Sequence, residues 1–388
     1  MVHGDGAQHG EQHQPRRASP QRRDPGGHRH RSNGVQALLP ERTHRRRGDR
    51  TASGTRRPAH GRRVSPLPHE VDALHLHDAG SEDGRQEQGF AGRGHAVIEE
   101  RHAASVVDAQ LRVIASGSGG NLSILTLHRR DLPPRHVCID LGIGPRTLAR
   151  RLETHAPDVR LEDVAAVLVT HPDGDHLRST WRRTLEATGW PIFAAPSHHA
   201  ALAAMAAPAR LIRPLADGGR EVPILPDVIT ATTILAPHDD HGSTVIRLRV
   251  RTTRGDLRIG WATDVGRPTD EMRSLLSDCE VLGVESNYDA ELQAASPRPP
   301  FLKARITGGH GHLSNDQALD LVRSLATGTT PDRIVLLHLS RECNDPDLVR
   351  DLWGAHDAKL ARRTHVAEQD RPIGPFDLFD RRPVEIGV

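Results

Sequence analysis

Val164-Ala165-Ala166-Val167-Leu168-Val169-Thr170-His171-Pro172-Asp173-Gly174-Asp175-His176 is the stretch on which the reading of the fold turns. Its first seven residues are apolar up to a closing threonine and rich in β-branched side chains, the composition of a short buried strand. Its last six carry His171, Asp173, Asp175 and His176, and Pro172 and Gly174 between them dictate a tight loop and exclude a helix. A loop at a strand end aims several short side chains at one point. Imidazole nitrogen together with carboxylate oxygen suits a divalent transition metal. An isolated His-Pro-Asp would be an ordinary solvated turn, so the case depends on what the rest of the chain supplies.

Three further stretches repeat the arrangement. His238 follows a β-rich run, within Ala236-Pro237-His238-Asp239-Asp240-His241. Asp264 follows Ile259-Gly260-Trp261-Ala262-Thr263, and His338 follows Ile334-Val335-Leu336-Leu337. Polar groups where a buried strand emerges are the usual material of sites built on a sheet. Each alone reads as a turn residue or cap, but four of a kind do not.

The His171 loop resembles the His-x-His-x-Asp-His signature of the metallo-β-lactamase superfamily, with Asp173 in place of the second His. His238, Asp264 and His338 fill that pattern's later positions in order. Finer features resemble the YycJ-type nuclease-like proteins related to cyclic-phosphate phosphodiesterases. They are Ser116-Gly117-Ser118-Gly119-Gly120-Asn121, Ala262-Thr263-Asp264-Val265-Gly266, Glu285-Ser286-Asn287, Gly311-His312-Leu313-Ser314-Asn315 and His338-Leu339-Ser340-Arg341. The resemblance spans about Leu111 to Trp353. It implies two divalent metal ions, one held by His171, Asp173 and His238, the other by Asp175, His176 and His338, with Asp264 bridging. Zinc or manganese would serve, and iron too. The carboxylate of Asp173 hardens the first ligand set and moves its preference away from zinc.

The implied activity is that of a phosphodiesterase or nuclease acting through a metal-bridged hydroxide, with Asp175 and His312 as catalytic residues. Arg341 would neutralise charge on the phosphodiester, and Ser118 and Asn121 would line the site. His312 reads equally well as a proton donor or as a cap of the helix after it, and Glu285 as a partner behind the ligands. The same site would also suit a small ester, a lactone or a cyclic phosphate. A third possibility is no enzyme at all, but a module binding nucleic acid through an Arg-rich segment. The span between His238 and Asp264 leaves no room for an inserted domain, which favours a small or single-stranded substrate.

The order of elements points to the same architecture. Strands bunch first and then alternate with helices in both halves, which suits an α/β fold of four layers, αββα, in which two mixed sheets are flanked by helices. Helices are expected over Pro145–His155, Trp181–Ala187, His199–Met205, Thr269–Ser277, Asp316–Leu325 and Pro346–Trp353. His198 and His199 are expected at the surface or as caps.

Composition divides the 388-residue chain. Residues 1–110 hold 18 Arg, no Lys, and 12 of the 26 His, interrupted by Gly and Pro and almost without apolar periodicity. Such a segment buries too little apolar surface to offset its ordering entropy and is expected to be disordered, as a basic arm, a passive tail or a misassigned start. Residues 111–388 are expected to form the hydrolase domain. The three cysteines show no paired spacing, which fits a reducing cytoplasm. No apolar run reaches membrane-spanning length, so no membrane partner is expected.

Overall fold

A computed structural model describes residues 105–380. The expectations for Met1 to Ala104 lie outside those residues. The first strand, β1 (Val106–Ala115), begins ahead of Leu111, where the sequence reading placed the domain boundary. Val106 and Ala109 are buried, but Asp108 between them and Gln110 after them mask the pattern in the sequence.

The strands that follow are β2 (Leu122–Arg129), β3 (Arg135–Ile139), β4 (Val164–Leu168), β5 (Ile192–Ala194), β6 (Ile212–Pro214), β7 (Val222–Leu225) and β8 (Ile229–Ala236). Then come β9 (Ser243–Thr252), β10 (Gly255–Ala262), β11 (Val281–Glu285), β12 (Arg333–Leu337), β13 (Thr364–Val366) and β14 (Ile373–Asp377). The helices are α1 (Pro145–His155), α2 (Arg182–Thr188), α3 (His199–Met205), α4 (Asp270–Leu276) and α5 (Ala290–Ala295). The chain continues with α6 (Pro300–Thr307), α7 (Asn315–Leu325), α8 (Pro346–His356) and α9 (Ala358–Ala361).

The two halves have the same plan. In one, β1, β2 and β3 are antiparallel, and β3 to β6 run parallel outward. In the other, β8, β9 and β10 are antiparallel, and β10 to β13 run parallel outward. The halves are one hydrogen-bonded sheet only by a narrow seam, where Val106 of β1 pairs with Thr252 of β9. β14 returns from the end of the domain to pair with β1.

Strand periodicity explains the layers. Successive side chains point to opposite faces, so a strand buried on both sides supplies two cores. On β3, Val137 and Ile139 enter the central core while Cys138 packs outward; on β12, Val335 and Leu337 enter it while Ile334 and Leu336 pack outward. The central core joins the two half-sheets. One outer core packs α1, α2 and α3 against the first half, and the other packs α4, α7 and α8 against the second. The fold is thus the expected mixed α/β sandwich with helices outside. The parallel strands point their carboxyl ends to one rim, and there the candidate residues gather.

Candidate metal centre

Each candidate side chain sits at or just past a strand end: Asp140 after β3, His171 to His176 after β4, His238 after β8, Asp264 after β10, Glu285 at the end of β11 and His338 after β12. The chain must turn sharply there. Asp140, Asp239, Asp264 and His338 have positive φ, four of the seven such non-glycine residues described. Asp and His tolerate this region better than most side chains, and each such residue still costs on the order of 1 kcal/mol. The loops also lie very close together. A Cβ on Gly142 would fall 1.7 Å from the carbonyl oxygen of Asp175, so only glycine fits there. The amide of Asn121 donates to that same carbonyl at 2.7 Å, which ties the Gly-Ser loop to the ligand loop.

The imidazoles are oriented from behind. Nδ1 of His176 lies 2.8 Å from Asp140 Oδ2, and Nδ1 of His338 lies 2.9 Å from Glu285 Oε1. Nδ1 of His171 meets the Gly242 carbonyl at 3.1 Å, and Nδ1 of His238 meets the Gly311 carbonyl at 2.7 Å. Carbonyls and carboxylates only accept, so each Nδ1 carries a proton and each Nε2 is the atom a metal would take. Imidazoles anchored in this way are what a metal site requires.

Asp264 occupies the middle. Its Oδ2 is 2.8 Å from Nε2 of His176, and its Oδ1 is 3.9 Å from Nε2 of His238 and 3.4 Å from Nδ1 of His338. Oδ2 is buried and has no hydrogen-bond partner. Without a metal the contact between Asp264 and His176 needs a proton on Nε2 of His176, and a divalent cation between the two would take that proton's place, so the residues present fit a metal. Electrostatics agree. Burial opposes charge on His176 and His338, yet Asp264 and the carboxylates behind them carry both pKa values well above the usual imidazole range. Burial likewise opposes charge on Asp264, but His338 and His176 hold it well below the usual carboxylate range. A site that holds protons this firmly is one where a cation can displace them.

Three groups of side chains bring candidate ligand atoms within 4.8 Å of one another: Asp175, His176 and His338; His171, His238 and Asp239; and Asp264, Glu285, His312 and His338. Asp173, expected in the first metal's set, is outside those groups; its carboxylate is 57% exposed and reaches His171 Nε2 at 3.4 Å. The neighbour the sequence reading passed over is Asp239, which Arg305 grips through Nε at 3.0 Å and through a second contact from Nη2. Its signal was its place directly after His238.

The remaining expected residues separate. Ser118, Asp173, Asp175 and His312 line a cavity of about 400 Å³ over the rim. Asn121 is buried beneath it, with Oδ1 accepting from the Gly117 amide and Nδ2 3.4 Å from His176 Nε2. Arg341 turns away to pair with Asp370 at 2.7 Å; the guanidinium groups that line the cavity belong to Arg298 and Arg305. His312 is not a helix cap, because Ser314 performs that role through a capping box on α7. Nδ1 of His312 instead donates to Glu285 Oε1 at 2.8 Å. Glu285 is fully buried and also accepts from the amides of Val265 and Leu313. Burial pushes its carboxyl up, but His312 and His338 outweigh that and hold it at about 2. His198, expected at the surface or as a cap, is buried at the N-cap position of α3 without a side-chain cap bond, and its Nε2 lies 3.0 Å from the Gly242 carbonyl that also anchors His171.

The sequence profile described as "Beta-lactamase superfamily domain" matches residues 135–339, the span from β3 to just past His338. The chain belongs to the beta-lactamase superfamily. Membership makes it a metal-dependent hydrolase. "Exodeoxyribonuclease WalJ" of Streptococcus pneumoniae is 24% identical over 282 residues, covering 72% of this chain and 96% of that protein. "Exodeoxyribonuclease YycJ" of Bacillus anthracis is 23% identical over 243 residues, covering 61% and 85%. Among solved structures, Zn(2+)-bound PqqB from Methylobacterium extorquens is similar with a TM-score of 0.49 at 14% identity, over 68% of this chain and 99% of that one. No helix among the described residues is long and apolar enough to cross a membrane.

Proposed function

We propose that this superfamily member cleaves phosphodiester bonds of DNA at a dinuclear metal centre. The observation that carries the reading is the set of four imidazoles whose Nδ1 atoms are all engaged from behind, gathered with the buried carboxylate of Asp264, whose Oδ2 lies 2.8 Å from Nε2 of His176. His176, His338 and Asp175 would hold one ion; His171 and His238, with Asp173 or Asp239, would hold the other; and Asp264 would bridge. Divalent zinc, manganese or iron suits these donors. When bound, the pair supplies an activated water and neutralises charge on the phosphate.

The chain's own groups supply the rest. Glu285, held anionic, fixes the His312 ring through Nδ1, so its Nε2 is the atom that can carry a proton to the leaving oxygen. Arg298 and Arg305 at the cavity wall orient the substrate's anionic oxygens. The relatives named as exodeoxyribonucleases support DNA as the substrate. Three buried, unpaired cysteines support a reducing, cytoplasmic setting.

The test combines metal analysis of the purified chain with hydrolysis of end-labelled single-stranded DNA and of bis(p-nitrophenyl) phosphate. About two metals per chain are expected, with DNA cleavage lost on chelation and restored by manganese or zinc. A folded, metal-free protein, or one that hydrolyses only esters or lactones, would overturn the reading.

A further inference from the structure

Between β11 and α7 the chain makes a detour through α5 and α6. One face of α6 borders the metal cavity through Leu302, Arg305 and Ile306, the i, i+3, i+4 spacing of neighbours on a helix. Behind that face is a satellite core of Tyr288, Ile306 and Cys343, with Leu302 packed on it, separate from the three main cores. The outer face is unusual. Phe301 is 74% exposed, the most exposed large apolar side chain described, and Leu292 of α5 is also exposed. The chain has only five Phe, so an aromatic ring left in solvent beside the cavity is not what its composition would supply by default.

Phe301 lies one helical turn before Arg305, so the two side chains are neighbours about 6 Å apart along the axis. Arg305 is itself 57% exposed while reaching Asp239 beside His238. Arg298, on the loop between the helices, is braced by Glu342 at 3.0 Å and by Gln293 and Ser340. The arm thus presents a braced cation, a second cation at the metal rim and an open aromatic face next to it. Stacking on an aromatic face, with cations on the backbone, is how single-stranded nucleic acid is held without sequence preference.

We propose that the α5–α6 arm is the single-strand binding subsite of this enzyme, with Phe301 stacking on a base and Arg305 and Arg298 on the phosphates beside it. The proposal rests on DNA being the substrate class.

The experiment measures binding of a labelled oligothymidylate to the full-length chain in EDTA, where nothing is cut, for parent, Phe301→Ala, Phe301→Trp and Leu348→Ala. Leu348 is an exposed apolar residue on α8 and controls for loss of surface apolarity. Phe301→Ala is expected to weaken binding about tenfold, Leu348→Ala to match the parent, and Phe301→Trp to retain affinity with indole fluorescence quenched by the bound strand. The Arg-rich segment is common to all four proteins and cancels. Equal affinity of parent and Phe301→Ala, or an unquenched Phe301→Trp, would overturn the proposal. An oligonucleotide held through Phe301 but never cleaved on adding metal would leave the arm standing and break the hydrolytic reading instead.

Discussion

His176 and His338 donate their Nδ1 protons to carboxylates, whereas His171 and His238 donate theirs to backbone carbonyls. The first pair is also the more enclosed. Its anchors, Asp140 and Glu285, are buried, and Asp140 is itself held by the Thr170 amide and hydroxyl. The second pair looks onto Asp173 and Asp239, which are open to solvent or engaged by Arg305. An anionic acceptor raises the basicity of the imidazole it holds, so carboxylate-anchored rings make stronger ligands than carbonyl-anchored ones. On the proposed dinuclear reading, one half would therefore keep its ion and the other would exchange it.

The largest effect should come from the residue the two halves share. Asp264→Ala removes the charge that offsets repulsion between two cations, and metal content should fall from two towards one or none. Hydrolysis should drop about a thousandfold or more, while His338→Ala should empty mainly one position. Two metals retained in Asp264→Ala would break the comparison outright. Next comes the anchor. Asp140→Asn keeps the shape behind His176 but loses the charge. It should weaken the carboxylate-anchored position about 10- to 100-fold in a chelator competition and leave the other unaffected. Equal weakening of both would mean that the anchors do not set affinity.

A smaller change probes the exchangeable half. Asp173→His replaces an oxygen donor with nitrogen and should raise the zinc-to-manganese affinity ratio about tenfold. An unchanged ratio would remove Asp173 from the ligand set and leave Asp239 to complete it. The smallest effect supplies the baseline. His136 is a buried imidazole with no carboxylate anchor, its Nδ1 only 3.0 Å from Thr126 Oγ1, and burial pushes it down from 6.5 to about 4. Its neutral form is favoured in the folded chain, so its contribution to stability is intact above pH 6.5 and is lost as pH falls towards 4. His136→Gln should flatten the decline of urea-measured stability in that window by about 1 kcal/mol per pH unit. No flattening would show that burial alone does not depress an imidazole in this fold.

That the His171, His238, Asp264 and His338 loops gather at one rim was legible because each leaves a short-range mark: His or Asp just past a strand. The long buried strands were legible for the same local reason. Less visible were β6, β13 and β14, short strands whose pairing is made across longer sequence separations, and β7, a short strand in a tight hairpin with β8. Arg341 follows the His338 loop directly, yet Asp370 draws it outward, and nothing local to Arg341 signals that Gln369 and Asp370 return to the Gly-Ser loop. Arg298 and Arg305 were hidden differently. Their segment packs on a satellite core too small to impose an apolar period. His198 looked like half of a surface or capping pair, but it is buried, and its neighbour His199 is half-buried with Nε2 3.2 Å from the Ala194 carbonyl.

The seam at Val106 and Thr252 bears on how the molecule could be divided. Asp217 to Arg220, between β6 and β7, is exposed and carries Gly218 and Gly219 at positive φ, a natural place to open the chain. A break there would put His171, Asp175 and His176 on one piece and His238, Asp264 and His338 on the other. Neither piece would own a complete ligand set, so an ion would act as a rivet between them. Reassembly of the fragments, which the central core and the pairing of β1 with β14 would also favour, would then be strengthened by metal in solution, turning a hydrolase into a two-part sensor.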